Sequence, residues 1–166
     1  MTIMIQERRS VRTFKKTPIE AALIDQLMIS AMQAPSARNQ QPWSFIVVKN
    51  PEVLAQLSQV SSGARHLNGA PLGIITLMKD TEHAPHMCPQ DMAASTQNIL
   101  LEAHQQGLGA VWIGIFPLEE RINNVKKIID IKTGTTPFSI IAVGYPAQPY
   151  EKPNLRFDRS RIQVIE

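Results

Sequence analysis

The run Leu72-Gly-Ile-Ile-Thr-Leu-Met78 constrains the fold more than any other stretch, because it is apolar at nearly every position and shows no polar alternate face. Such a segment suits a central strand covered on both faces. Three more strands are expected at Ser44 to Val48, Gly109 to Ile115 and Pro137 to Val143, the last ended by Gly144-Tyr145-Pro146. Helical signals lie between them. Residues 2–8 read as a short helix, and Thr17-Pro18 with Glu20 reads as the start of a second, amphipathic through Ile19, Leu23, Ile24, Leu27, Met28 and Ala31 up to Ala34. Asn50-Pro51-Glu52 caps a third to about Val60. Pro89 opens a long fourth, residues 90–106, with Asp91 near the positive end of its dipole and Gly107 as its stop. Residues 119–129 form a fifth. Residues 61–71 and 79–90 are expected to be loops, and 147–166 an extended, proline-spotted arm. Helices interleaved with four strands imply an α/β or α+β sheet sandwich.

Length allows one domain, residues 1–166. No apolar run reaches a membrane span, and no charged segment followed by an apolar core opens the chain, so a cytoplasmic protein without a membrane partner is expected. The net charge of +3 is gathered near the two ends, from Arg8 to Lys16 and from Lys152 to Arg161, with only Phe14 and Phe157 among the cations. That is no continuous stripe with stacking platforms, and a nucleic-acid partner is not expected. Cys88, the one cysteine, has no internal partner for a disulfide. His83, His86 and Cys88 place three soft ligands within six residues, yet no second pair stands at zinc spacing and His66 and His104 are isolated. No metal is expected, and that loop receives no role. There is also no glycine-rich dinucleotide fingerprint, no P-loop and no nucleophile elbow.

Three stretches carry chemistry. Arg8-Arg9-Ser10-Val11-Arg12-Thr13-Phe14-Lys15-Lys16 holds five cations and two hydroxyls in nine residues. That set suits a phosphate-bearing ligand, because charged forked hydrogen bonds are the strong ones; the alternative is a solvated face. Pro35 to Trp43 is bounded by prolines and crowded with amides, either an ordinary polar loop or a rigid rim for a polar ligand edge. Gly109 and Gly114 bracket the third strand, where small residues admit another backbone or a flat ligand.

These landmarks resemble the FMN-dependent nitroreductase family over nearly the whole chain. The matching pieces are Arg8 to Phe14, Ala34 to Trp43, Gln97 to Leu101 running on through Gly107 to Gly114, Gly144-Tyr145-Pro146, and Lys152 to Arg156. The resemblance implies an α+β fold with a helix-flanked sheet, and a homodimer with FMN at the interface and an extended C-terminal arm. It further implies ping-pong transfer of reducing equivalents from NADH or NADPH to nitroaromatic, quinone or similar small-molecule acceptors. Carried over by position, Arg8, Arg9 and Ser10 would hold the FMN phosphate and ribityl region, joined by Arg156 in preference to Lys152 or Arg159. Arg12 would sit at the edge of the ring that becomes negative on reduction. Pro35, Ser36, Asn39 and Gln41 would line the flavin from the partner chain. Ile113, Gly114 and Ile115 would run near its central ring, with a backbone amide toward N5. No protein nucleophile or base is then needed. The same resemblance leaves a non-catalytic FMN carrier and a flavin-destruction or dehalogenating relative as alternatives. The chain is a short member with little room for a helical lid, so neither the acceptor nor the choice of NADH or NADPH is specified.

Overall fold

The computed structural model describes residues 2–151 and 153–166. Helices α1 (Thr2–Glu7), α2 (Ala21–Met32), α3 (Pro51–Leu57), α4 (Cys88–Gln105) and α5 (Glu119–Ile128) surround strands β1 (Trp43–Val48), β2 (Leu72–Lys79), β3 (Gly109–Gly114) and β4 (Thr135–Gly144). The strands form one sheet in the order β1-β2-β4-β3. Every neighbouring pair is antiparallel. The class is α+β.

The apolar run that opened the argument is the central strand β2, and its two faces are buried in different cores. Ile75 and Leu77 join Ile140, Val111 and Ile113 under α3 and α5, whereas Leu72 and Ile74 join Ile141, Val143 and Ala110 under α2 and α4. Successive side chains of a strand point to opposite faces, so a strand wedged between two helix layers must be apolar throughout. Helices α2 and α4 are also stitched by polar bonds: Asn98 Nδ2 donates to Ser30 O at 2.9 Å, and Ser30 Oγ donates to Glu102 at 2.9 Å. A third small core holds Trp43, Met92 and Phe138 at the end of the sheet where β1 begins.

Three local expectations change. The second helix starts at Ala21, because residues 17–20 stay extended: Lys15 N is tied to Tyr145 O at 2.8 Å and Ile19 is drawn into the core. Residues 61–71 are not all loop; Ser62–Leu67 forms a 3-10 turn that buries Ala64 and Leu67 completely. Strand β4 begins two residues before Pro137, which is accommodated at a register shift opposite Thr76 and Leu77, one of the few places a sheet accepts proline. The Asn50 cap is as expected, its side chain accepting from Glu52 N and Val53 N.

Candidate functional site

The basic segment runs along the outer edge of β3. Ser10 bridges Ala110 in parallel, and Val11 N donates to Ala110 O at 3.0 Å. Gly109 makes this approach feasible: a Cβ there would lie 2.6 Å from the Val11 side chain. Farther on, Phe14 bridges Pro146 and Ala147 N donates to Thr13 O at 3.0 Å, so the segment is pinned at both ends. Arg9, Ser10 and Arg12 are left exposed, with Arg12 Nη1 reaching back to Ser10 O at 3.4 Å.

Arg8 is half-buried, and Arg156 from the far end of the chain stands near it. Burial first, and then the Arg156 charge, hold the Arg8 guanidinium below its ordinary value. A cation disfavoured by burial and by a second cation nearby is a group that a bound anion would relieve. Arg159 turns instead to Ile162 O at 3.5 Å, and Lys152 lies outside the described residues. A further residue arrives from the Ser62–Leu67 turn. His66 stands close to the Arg12 backbone, and its imidazole is held below the ordinary value by burial first and then by the Arg65 and Arg12 charges. Nothing in the sequence links His66 to Arg12, which is far away along the chain and meets it only through the fold.

At the other end of β3, Ile113 and Ile115 are buried. Ile115 N and Phe116 N both donate to Phe138 O, at 3.2 and 3.0 Å. Antiparallel ladders alternate the direction of their polar groups, so residues sharing the parity of Ala110, whose carbonyl faces the basic segment, turn away from β4. Gly114 shares it. Its carbonyl accepts from Arg121 Nη1 at 2.8 Å, its N–H faces outward, and a Cβ built there would meet nothing within 4 Å. Of the two glycines bracketing β3, one admits a neighbouring segment and the other leaves open space.

The rim before β1 is more ordered than its composition suggests. Ala37–Asn39 forms a single 3-10 turn, and Arg38, Asn39 and Gln41 have φ of 51°, 54° and 47°. Left-handed conformations at residues other than glycine cost about 1 kcal/mol or more each and survive only where other contacts impose them. Ser36 Oγ accepts from Gln41 N at 3.1 Å, and Gln41 Nε2 donates to Asn39 Oδ1 at 3.0 Å. Asp91, buried in the first turn of α4, accepts from Ala37 N at 3.0 Å and from Gln40 Nε2 at 2.7 Å. Pro35, Asn39 and Gln41 are exposed and Ser36 partly so.

One chain therefore brings Arg8, Ser10, Arg12 and Arg156 to one edge of the sheet, with Gly114 farther along the same strand. It does not bring the rim to them. The rim precedes β1, on the opposite edge, with β2, β4 and β3 between it and the basic segment, roughly 19 Å by strand spacing. A cavity of about 420 Å³ lies where β1 ends and β2 begins, lined by Lys16, Lys49, Asn68 and three prolines, and none of the candidate residues contributes to it. Cys88 is buried with Sγ 3.5 Å from Thr81 Oγ1, and His83 and His86 are exposed. Among the described residues no three His, Cys, Asp or Glu are grouped to hold a metal ion, and no helix is long and apolar enough to cross a membrane.

Residues 5–64 and 62–145 match the Nitroreductase family. The chain belongs to the nitroreductase family. A Methanothermobacter thermautotrophicus protein named as a candidate NADH dehydrogenase/NAD(P)H nitroreductase is 40% identical over 163 residues, 96% of this nitroreductase and 84% of the relative. Among solved structures, a candidate NADH oxidase from Clostridium acetobutylicum superposes with a TM-score of 0.94 at 44% identity, covering 98% of this chain and 99% of that one. An FMN-dependent nitroreductase from Clostridium difficile superposes at 0.92 with 25% identity, covering 100% and 99%. The nitroreductase architecture thus extends over the whole of this short chain.

Proposed function

We propose that this nitroreductase is a cytoplasmic, FMN-dependent oxidoreductase, a single domain that works as a homodimer. It passes reducing equivalents from NADH or NADPH to nitroaromatic, quinone or similar acceptors by a ping-pong mechanism. The observation that carries the reading is the basic segment pinned along β3, where Ser10 bridges Ala110 and Arg156 from the opposite end of the chain comes near Arg8, so that a dianion would satisfy both cations. The relatives named for NAD(P)H and FMN support the cofactor and the reductant.

The residues present fit FMN. A phosphate needs fixed cations, and Arg8 and Arg156, with Arg9 and the exposed Ser10 hydroxyl beside them, would hold it. A flat ring needs a backbone it can approach closely. Gly114 offers open space and an outward N–H that would donate to N5, narrowing the three backbone candidates of β3 to one. Bound FMN supplies a carrier that takes up reducing equivalents at N5 and yields them to a second molecule. Arg12 would lie beside the ring edge that gains negative charge, with His66 close to its backbone. No side chain need form a covalent bond or hold a reacting proton.

The separation of the rim from the basic edge within one chain supports a site built from two copies, with Pro35, Ser36, Asn39 and Gln41 arriving from the partner. The arm supports the same conclusion. Tyr150 is fastened to His104 Nδ1 at 2.8 Å, but beyond it Leu155, Phe157, Val164 and Ile165 are 62 to 87% exposed. So much apolar surface on one polar-spotted segment fits a contact with another chain.

The test is a visible spectrum of the purified protein, followed by anaerobic mixing with NADH and with NADPH. A yellow protein bleached by either one, and recoloured by a quinone, is the expected result. A colourless protein that also ignores added FMN would refute the proposal, and a yellow one that neither nucleotide bleaches would be a carrier.

A further inference from the structure

Among the described residues the Gln40 side chain is heavily engaged, and the flavin reading leaves it without a role. An amide can donate twice and accept twice, and here all four interactions are made. Nε2 donates to Asp91 Oδ2 at 2.7 Å and to Ala84 O at 3.0 Å; Oε1 accepts from Thr81 Oγ1 at 2.6 Å and from Ala84 N at 3.1 Å. Asp91 is 6% exposed, and the donors to its two oxygens, Ala37 N and Gln40 Nε2, both come from the rim. A buried carboxylate is costly unless hydrogen-bonded, and this one spends both oxygens on a loop containing three left-handed residues. Helix α4 could keep an acidic first turn for its dipole with the side chain in water. Burying it against Ala37 and Gln40 serves the loop instead.

We propose that Asp91, acting through Gln40, is the positioning residue that holds the 35–41 rim in the shape that receives the flavin and clamps the 81–84 loop to it. This rests on the flavin reading above. Ser36, Asn39 and Gln41 touch the ligand in that reading; Asp91 and Gln40 do not, and act only through the backbone they fix. The clamp also explains how a short chain without room for a helical lid keeps a firm wall beside its site: the 79–87 loop, which carries His83 and His86, is tied at Thr81 and Ala84 to the rim.

Asp91→Asn keeps the bond from Ala37 N but sets an amide donor against the Gln40 donor. Gln40→Met, similar in length, removes the hub and with it the donor to Asp91 Oδ2, while the carboxylate and its bond from Ala37 N stay in place. Two readouts on the full chain decide the matter. The first needs no flavin: trypsin cleavage after the exposed Arg38, followed by mass spectrometry against cleavage after Lys126 and Lys127 in α5. Both variants should be cut after Arg38 about tenfold faster or more, as expected for loss of a hydrogen bond to a charged group, with cleavage in α5 unchanged. The second is FMN titration followed by fluorescence quenching and visible circular dichroism of the bound flavin. FMN should bind about tenfold more weakly, with an altered flavin dichroism that a merely structural role would not produce. Arg38 protected as in the parent, or Arg38 released while FMN affinity and dichroism stay within twofold, would overturn the inference. If Asp91→Asn does not fold, Gln40→Met gives the same decision. A parent protein that binds no FMN would refute the flavin reading, and the cleavage arm would still separate that failure from failure of the clamp.

Discussion

At the scale of single residues, the two arginines of the basic segment to which the proposal gives roles have different surroundings and should fail differently. Arg8 is half-buried beside Arg156, while Arg12 is exposed beside His66. Arg8→Ala should weaken FMN binding about tenfold to a hundredfold, the loss expected for one charged hydrogen bond, with little change in the reduction rate of the flavin that remains bound. Arg12→Ala should slow reduction by NAD(P)H about a hundredfold, comparable to removing one donor to a developing anion, while FMN stays bound. Flavin titration and stopped-flow absorbance measure the two quantities, and equal effects of both substitutions on affinity would contradict the division. Legibility at this scale followed chain proximity. Arg8, Ser10 and Arg12 stand together in the sequence and could be read there. Asp91 reads as an ordinary helix-dipole residue and Gln40 as one amide among several, since their shared hydrogen bond spans 51 positions. His66 reads as an isolated histidine for the same reason.

At the scale of elements, β3 carries two glycines with opposite tasks. Gly109→Ala would drive a Cβ into Val11 and should cost about 1 to 3 kcal/mol, the usual penalty of overpacking. Gly114→Ala meets no neighbour in the chain, so its melting temperature should match the parent's while its FMN affinity falls. Thermal denaturation in the absence of FMN, paired with flavin titration, separates them; a stable Gly109→Ala with normal affinity would remove the reason given for that glycine. All four strands were legible because apolar runs and terminal glycines do not depend on distant partners. The true start of α2 was not, because Thr17-Pro18 is a sound local cap that loses to the anchoring of Lys15 and the burial of Ile19. Likewise the Ser62–Leu67 turn owes its form to buried Ala64 and Leu67, not to a cap, since no capping side chain is bonded there.

At the scale of the whole molecule, the proposed site joins the rim of one chain to the basic edge of another. Light scattering of the flavin-loaded protein should give twice the 18.5 kDa chain mass. A flavin-loaded monomer would rule out a shared site. Truncation after Tyr150 should lower the dimer population and FMN retention together, because it removes Arg156 and the exposed apolar residues of the arm at once.

The strip of residues that lies along β3 has one more consequence. A strand with an unpaired side offers a row of open backbone groups on which another sheet can grow. Val11 and Ser10 occupy that side of β3 at Ala110, so the segment with the proposed ligand-binding charges also shields the start of this edge from pairing with another copy, while the Gly114 end stays open.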